Sequence, residues 1–133
     1  SPLDSVTGGA TLGEGVLYSA GYRRDKWWFG IDWATGATRY ELKDFTTGSA
    51  VFADGRLYVL DQEGWAGLLE PGPDRLEVRG RFRLVEGRAA DAWAHPTLCG
   101  GRLYLRYHDT LWCFDVQARP DMRPQEGTEG NRR

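Results

Sequence analysis

Asp91, Trp93 and His95 alternate in the run D-A-W-A-H. In an extended chain, alternate residues share one face. A carboxylate, an indole and an imidazole would then point the same way and could hold a polar ligand. A packing role competes: Trp93 between sheets and His95 bonded to backbone where a strand begins. A second group is Y-R-R-D-K-W-W, from Tyr22 to Trp28. Tyr22, Arg23, Arg24 and Lys26 mix cations with an aromatic ring, as partner-contact loops often do. The alternative puts Trp27 or Trp28 into the core and leaves Arg23, Arg24 and Lys26 as a solvated tip. His108 and Asp109 resemble two members of a hydrolase triad, but a turn explains Asp there equally well.

Other chemistry lacks its residues. There is no G-x-S-x-G around Ser19 or Ser49, no G-x-G-x-x-G and no phosphate-binding loop. Two histidines without clustered Cys or Asp do not make a zinc site. Cys99 and Cys113 stand 14 residues apart and fit no Cys-x-x-Cys pattern. On the first and third strands of one sheet they would lie about 9–10 Å apart, beyond disulfide reach; two buried free thiols are expected. We assign no catalytic residue, no metal ligand and no cofactor.

What must position these side chains is a phrase used three times. It reads E-G-V-L-Y at Glu14–Tyr18, D-G-R-L-Y at Asp54–Tyr58 and G-G-R-L-Y at Gly100–Tyr104. Gly15 and Gly55 stand 40 apart, Gly55 and Gly101 46 apart. Each copy continues to an apolar run closed by an acid: Asp32, Glu70 and Asp115. Spacing of this length marks a repeat architecture. Residues that recur once per repeat, the tyrosines Tyr18, Tyr58 and Tyr104 and the three closing acids, are read as structural.

The strands expected are 10–12, 16–20, 27–32 and 38–42 in the first repeat; 49–53, 56–61, 66–70 and 76–84 in the second; 94–99, 102–107 and 111–116 in the third. Alternation in 56–59 sets Leu57 and Val59 on one face and Arg56 and Tyr58 on the other. Four-stranded units of about 40–45 residues describe propeller blades. The expected fold is all-β, a β-propeller segment of two complete four-stranded antiparallel blades plus three strands of a third. Residues 1–7 lead in, 8–48 form blade 1, 49–90 blade 2, 91–116 the incomplete blade 3, and 117–133 a flexible tail. Propellers close with about four to eight blades. We therefore expect the end of a longer propeller or one part of a multi-chain assembly, possible homo-oligomers included. The absence of a first methionine points the same way.

The chain of 133 residues is 41 % apolar, enough for a modest core, and its 18 glycines suit many turns. A net charge of −2 argues against a nucleic-acid surface. No run approaches the roughly 20 apolar residues of a membrane span.

The stretches A-V-F-A-D-G-R-L-Y-V-L-D-Q-E-G with G-L-L-E-P, and A-H-P-T-L-C-G-G-R-L-Y-L-R-Y-H-D-T-L-W-C-F-D-V, resemble the blades of PQQ-like propellers. That family includes quinoprotein alcohol dehydrogenases and the bacterial outer-membrane assembly propeller, and the similarity covers residues 8–116. The enzymes hold their quinone between a tryptophan floor and a disulfide of adjacent cysteines, beside a bound calcium. Cys99 and Cys113 are not adjacent, and no acid–amide cluster matches, so no catalytic residue carries over. The resemblance implies a non-catalytic binding or protein-interaction scaffold in a bacterial periplasm or at the cell surface. Its partner would be a protein or the remaining blades. The alternatives are the C-terminal fragment of a quinoprotein dehydrogenase and a glycan-binding module.

Overall fold

A computed structural model describes residues 3–87 and 90–118. The expected tail falls mostly on 119–133, outside the described residues. Eleven strands are present: β1 Thr11–Gly13, β2 Val16–Ala20, β3 Trp28–Asp32, β4 Thr38–Leu42, β5 Gly48–Ala53, β6 Arg56–Asp61, β7 Trp65–Pro71, β8 Leu76–Arg83, β9 Thr97–Cys99, β10 Arg102–Tyr107 and β11 Thr110–Asp115. Among the described residues none is helical. Among the described residues no helix is long and apolar enough to cross a membrane. The strands form three antiparallel sheets, ordered β1-β2-β3-β4, β5-β6-β7-β8 and β9-β10-β11. These are two complete four-stranded blades and a three-stranded third.

The repeated phrase is one structural device used three times. Its first two residues are the hairpin turn between a blade's first and second strands. Glu14–Gly15, Asp54–Gly55 and Gly100–Gly101 all have positive φ, the type I′ geometry that matches strand twist and favours glycine. The Leu that follows faces the preceding sheet. Leu57 is 0 % exposed against the first sheet, and Leu103 is buried against the second. The Tyr that follows faces the next sheet: Tyr18 lies in the first interface and Tyr58 against the second. Tyr18 stacks on Phe52 of the neighbouring sheet at 6.0 Å, and burial pushes its hydroxyl pKa up to about 12.

Two cores result. Val16, Tyr18, Ala20, Trp28 and Tyr40 of the first sheet meet Leu57, Val59, Leu69 and Leu76 of the second. Leu60 and Ala66 on the second sheet's other face meet Leu103 and Leu105 of the third. Hydrogen bonds also cross the first interface, from Tyr40 Oη to the Gly72 carbonyl (2.6 Å) and from Thr11 Oγ1 to the Ala50 carbonyl (3.0 Å). The first strands lie side by side, β1 against β5 and β5 against β9. Apart from one strand, ends lie within one residue of expectation. The largest shift is β9, which begins at Thr97 rather than residue 94; Pro96 just before it has no N–H for a ladder.

The thiols correct an expectation. Cys99 and Cys113 are free, but both are exposed. They lie on the two strands flanking β10, opposite Arg102 and Tyr104 respectively. Arg102 and Tyr104 alternate with Leu103 and Leu105, which face the second sheet, so both thiols are on the outer face. Among the described residues no sheet covers that face, so it does not bury them.

Candidate functional site

All the candidate side chains belong to one end of the sheets. Hairpins alternate between two ends, and the loops β2–β3, β6–β7 and β10–β11 share an end with the starts of β5 and β9. This end holds Tyr22–Lys26, Gln62–Gly64, His108–Asp109 and Asp91–His95.

The lead-in segment runs across this rim. A Cβ on Gly8 would collide with the Gly48 carbonyl at the start of β5, so only glycine permits the crossing. Ser19 Oγ donates to the Gly9 carbonyl at 2.7 Å. On the far side, His95 Nε2 lies 3.0 Å from the Thr7 carbonyl. A carbonyl only accepts, so Nε2 carries the proton and His95 is the donor. The imidazole thus ties the start of the third blade to the lead-in of the first.

D-A-W-A-H precedes β9 and is not strand; Asp91, Trp93 and His95 are exposed, Ala92 is buried and Ala94 half-buried. Ala92 N–H donates to the Gln62 carbonyl at 2.9 Å. Trp93 is 48 % exposed, and its Nε1 donates to Gln62 Oε1 at 3.4 Å. All three side chains reach solvent, and about half of the indole is open to a stacking ligand.

At the end of the β2–β3 loop, Trp28 opens β3 and is core, its Nε1 bonded to the Thr46 carbonyl at 2.9 Å. Arg23 and Arg24 point to solvent. Lys26 Nζ sits 5.5 Å from the Tyr22 ring centroid. Asp4 holds the loop in place, accepting from the Tyr22 N–H at 2.7 Å and the Arg23 N–H at 3.1 Å. These amide bonds, Tyr22 foremost, hold its carboxyl below the usual range. His108 and Asp109 are both exposed in the β10–β11 turn, 4.0 Å apart, and no serine joins them.

Asp61 went unmarked by the sequence reading and is the most constrained acid of the rim. It is 2 % exposed. Its Oδ1 accepts from the N–H groups of Glu63 and Trp65, both at 3.0 Å, and its Oδ2 from Thr46 N–H at 3.2 Å. The carboxylate therefore closes the β6–β7 turn and pins the connection between the first two blades. Burial is the largest influence and raises its pKa, against these amide bonds. The legible signal was D-Q-E-G, an acid two residues before a Glu-Gly turn.

The closing acids are structural as well, each differently. Asp32 Oδ1 accepts from the N–H groups of Ala34 and Thr35 in its turn. Glu70 pairs with Arg56 and Arg79, and Asp115 accepts from Gln117 N–H. Among the described residues no group of three or more His, Cys, Asp or Glu could hold a metal ion.

Away from the rim, the outer face of the first sheet carries a groove of about 400 Å³ lined by Leu3, Leu17, Ile31, Asp32, Trp33 and Thr38. Trp33 at its margin is 64 % exposed.

No protein-family model matches this sequence, and no curated protein matches it.

Proposed function

We propose that this chain is a PQQ-like propeller segment that works as a non-catalytic scaffold, holding a protein partner or further blades against its open sheet faces. The observation that carries this reading is that large apolar side chains stand exposed at both ends of the stack. Leu12 and Trp33 are on the first sheet's side and Leu111 on the third, while Val6, Phe82 and Trp93 are exposed elsewhere. Apolar surface left open at the ends of a stack favours association. The repeated residues support it too, since the Leu–Tyr pairs and closing acids are engaged in packing and turns. Rim residues Tyr22, Arg23, Arg24, Lys26, Asp91, Trp93 and His95 would then give partner contacts rather than catalysis. The resemblance to PQQ-like propellers adds a periplasmic or cell-surface setting to the proposal. The test is turnover: purified chain supplied with quinone and calcium should reduce no redox dye with alcohols or sugars. Quinone-dependent reduction would overthrow the reading in favour of a dehydrogenase fragment.

A second reading has one observation behind it. Trp33 stands exposed beside a groove that also holds Asp32 and Thr38. An indole face next to a carboxylate and a hydroxyl suits a glycan, being apolar on one side and hydrogen-bonding on the other. Titration with soluble sugars should then shift tryptophan fluorescence, and an unchanged spectrum rejects glycan binding.

A further inference from the structure

The arginines of β8 are of two kinds. Arg79 is neutralised: it donates to Glu70 Oε2 at 2.8 Å, while Arg56 donates to Oε1 of the same carboxylate at 3.0 Å. Arg81 and Arg83 pair with no acid among the described residues. They lie opposite Gly67 and Trp65, two positions apart, so they share one face of the second sheet. It is the face turned toward the first sheet, where Trp65 packs against the first core. Their Cα atoms are about 7 Å apart. The acids on the adjoining segments, Asp44 and Glu63, are exposed, and neither forms an ion pair with these arginines.

Aromatic rings hold both side chains in place. Arg81 Cζ sits 3.9 Å from the Trp65 ring centroid and 5.4 Å from that of Phe45, and Arg83 Cζ is 5.3 Å from Trp65. Phe45 is buried against the bare backbone of Gly67, where a Cβ would strike its ring. A guanidinium lying on rings keeps the N–H groups at its edge for other partners. Arg83 spends Nε on the Val85 carbonyl at 3.0 Å and keeps its terminal nitrogens. Arg81 donates to nothing among the described residues, so all five of its N–H groups are uncommitted. The stem of Arg81 also shields Phe45 from water. Shielding alone does not call for two like charges on one face, which repel without a counter-charge. Lys43, with Nζ 4.6 Å from the Trp27 ring centroid, adds a third positive charge just beyond β4.

We propose that Arg81 and Arg83 form a binding site for a doubly charged oxyanion, phosphate or a phosphate monoester. Two guanidiniums offer two donor forks of the shape that pairs with phosphate oxygens. A carboxylate brings one charge and two oxygens. A phosphate monoester brings nearly two charges at neutral pH and three acceptor oxygens, enough to occupy both forks. The rings fix the donors before the anion arrives, which lowers the ordering cost of binding. The site goes beyond the scaffold reading and does not depend on it, since neither arginine lies at an end of the stack.

The probe is inorganic phosphate, titrated into the full chain at low ionic strength and followed by nuclear magnetic resonance of the arginine side chains. Saturable binding should shift the Nε–H signals of Arg81 and Arg83 and the indole N–H signal of Trp65. Arg81→Gln and Arg83→Gln should each weaken binding by about tenfold or more, the loss of a charge-assisted hydrogen bond. Arg106→Gln removes the same charge from the third sheet and should leave affinity within about twofold, because distant exposed charges are screened. Arg83→Lys keeps the charge but loses the fork, and should also bind more weakly. Where Arg81→Gln loosens Phe45, the Arg83 variants and the native signals decide. A tripeptide centred on phosphoserine separates the sources: binding tighter than inorganic phosphate assigns the site to a phosphorylated chain, and weaker binding assigns it to the free ion. Either ranking upholds the site. No saturable binding, shifts confined to other arginines, acetate binding as tightly as phosphate, or equal losses in all three glutamine variants would each overturn the proposal.

Discussion

Leu17, Leu57 and Leu103 are the same residue at the same place in three copies of one phrase, and truncating each should cost a different amount. Leu57 is 0 % exposed, with the first sheet packed over it. Leu57→Ala removes a fully buried side chain and leaves a cavity between two sheets, at a cost of about 3 kcal/mol. At about 3 °C per kcal/mol that lowers the melting temperature by about 10 °C. Leu103 meets the second sheet and should cost nearly as much. Leu17 faces outward, half-buried, with Leu3 at the same groove and no sheet over it. Its truncation should cost about 1 kcal/mol, the transfer cost of partly buried methylenes with little cavity. Urea titrations of the three variants at matched slope give the ranking. Equal losses at Leu17 and Leu57 would refute the account, because the leucine's worth would then come from its own sheet rather than from the neighbouring blade.

Native protein should react with two equivalents of a thiol reagent, since Cys99 and Cys113 are both exposed; slow reaction only on unfolding would contradict their placement. Asp61 has a raised folded pKa. Its stabilising contribution is complete below the unfolded value of about 3.9 and is lost as pH climbs through the folded one. Asp61→Asn should flatten that part of the stability–pH curve while lowering stability throughout, because its amide cannot accept from Thr46 N–H; an unchanged slope rejects the assignment. Asp4→Ala should speed hydrogen exchange at Tyr22 and Arg23 and leave the two cores protected. Uniform protection across all these amides would show that the lead-in segment does not hold the loop.

Much of this architecture was legible before any coordinates. The x-Gly pair specified a turn with two positive φ values, and the Leu–Tyr that follows specified opposite faces, because side chains alternate along a strand. Three spaced copies then implied three sheets, and all eleven strands fall where the phrase puts them to within a few residues. Contacts between distant segments were not legible. His95 finds Thr7, 88 positions away, and Asp61 and Asp4 find amides across loops, since such bonds depend on where whole sheets come to rest.

The cysteines show the division most plainly. Sequence alone determined that Cys99 and Cys113 sit on strands flanking β10, because period and register are local properties of the backbone. Only the tertiary structure decided that their face meets water, as burial depends on whether another sheet stacks there. A strand pattern specifies two faces, and the stacking of neighbours determines which of them becomes core.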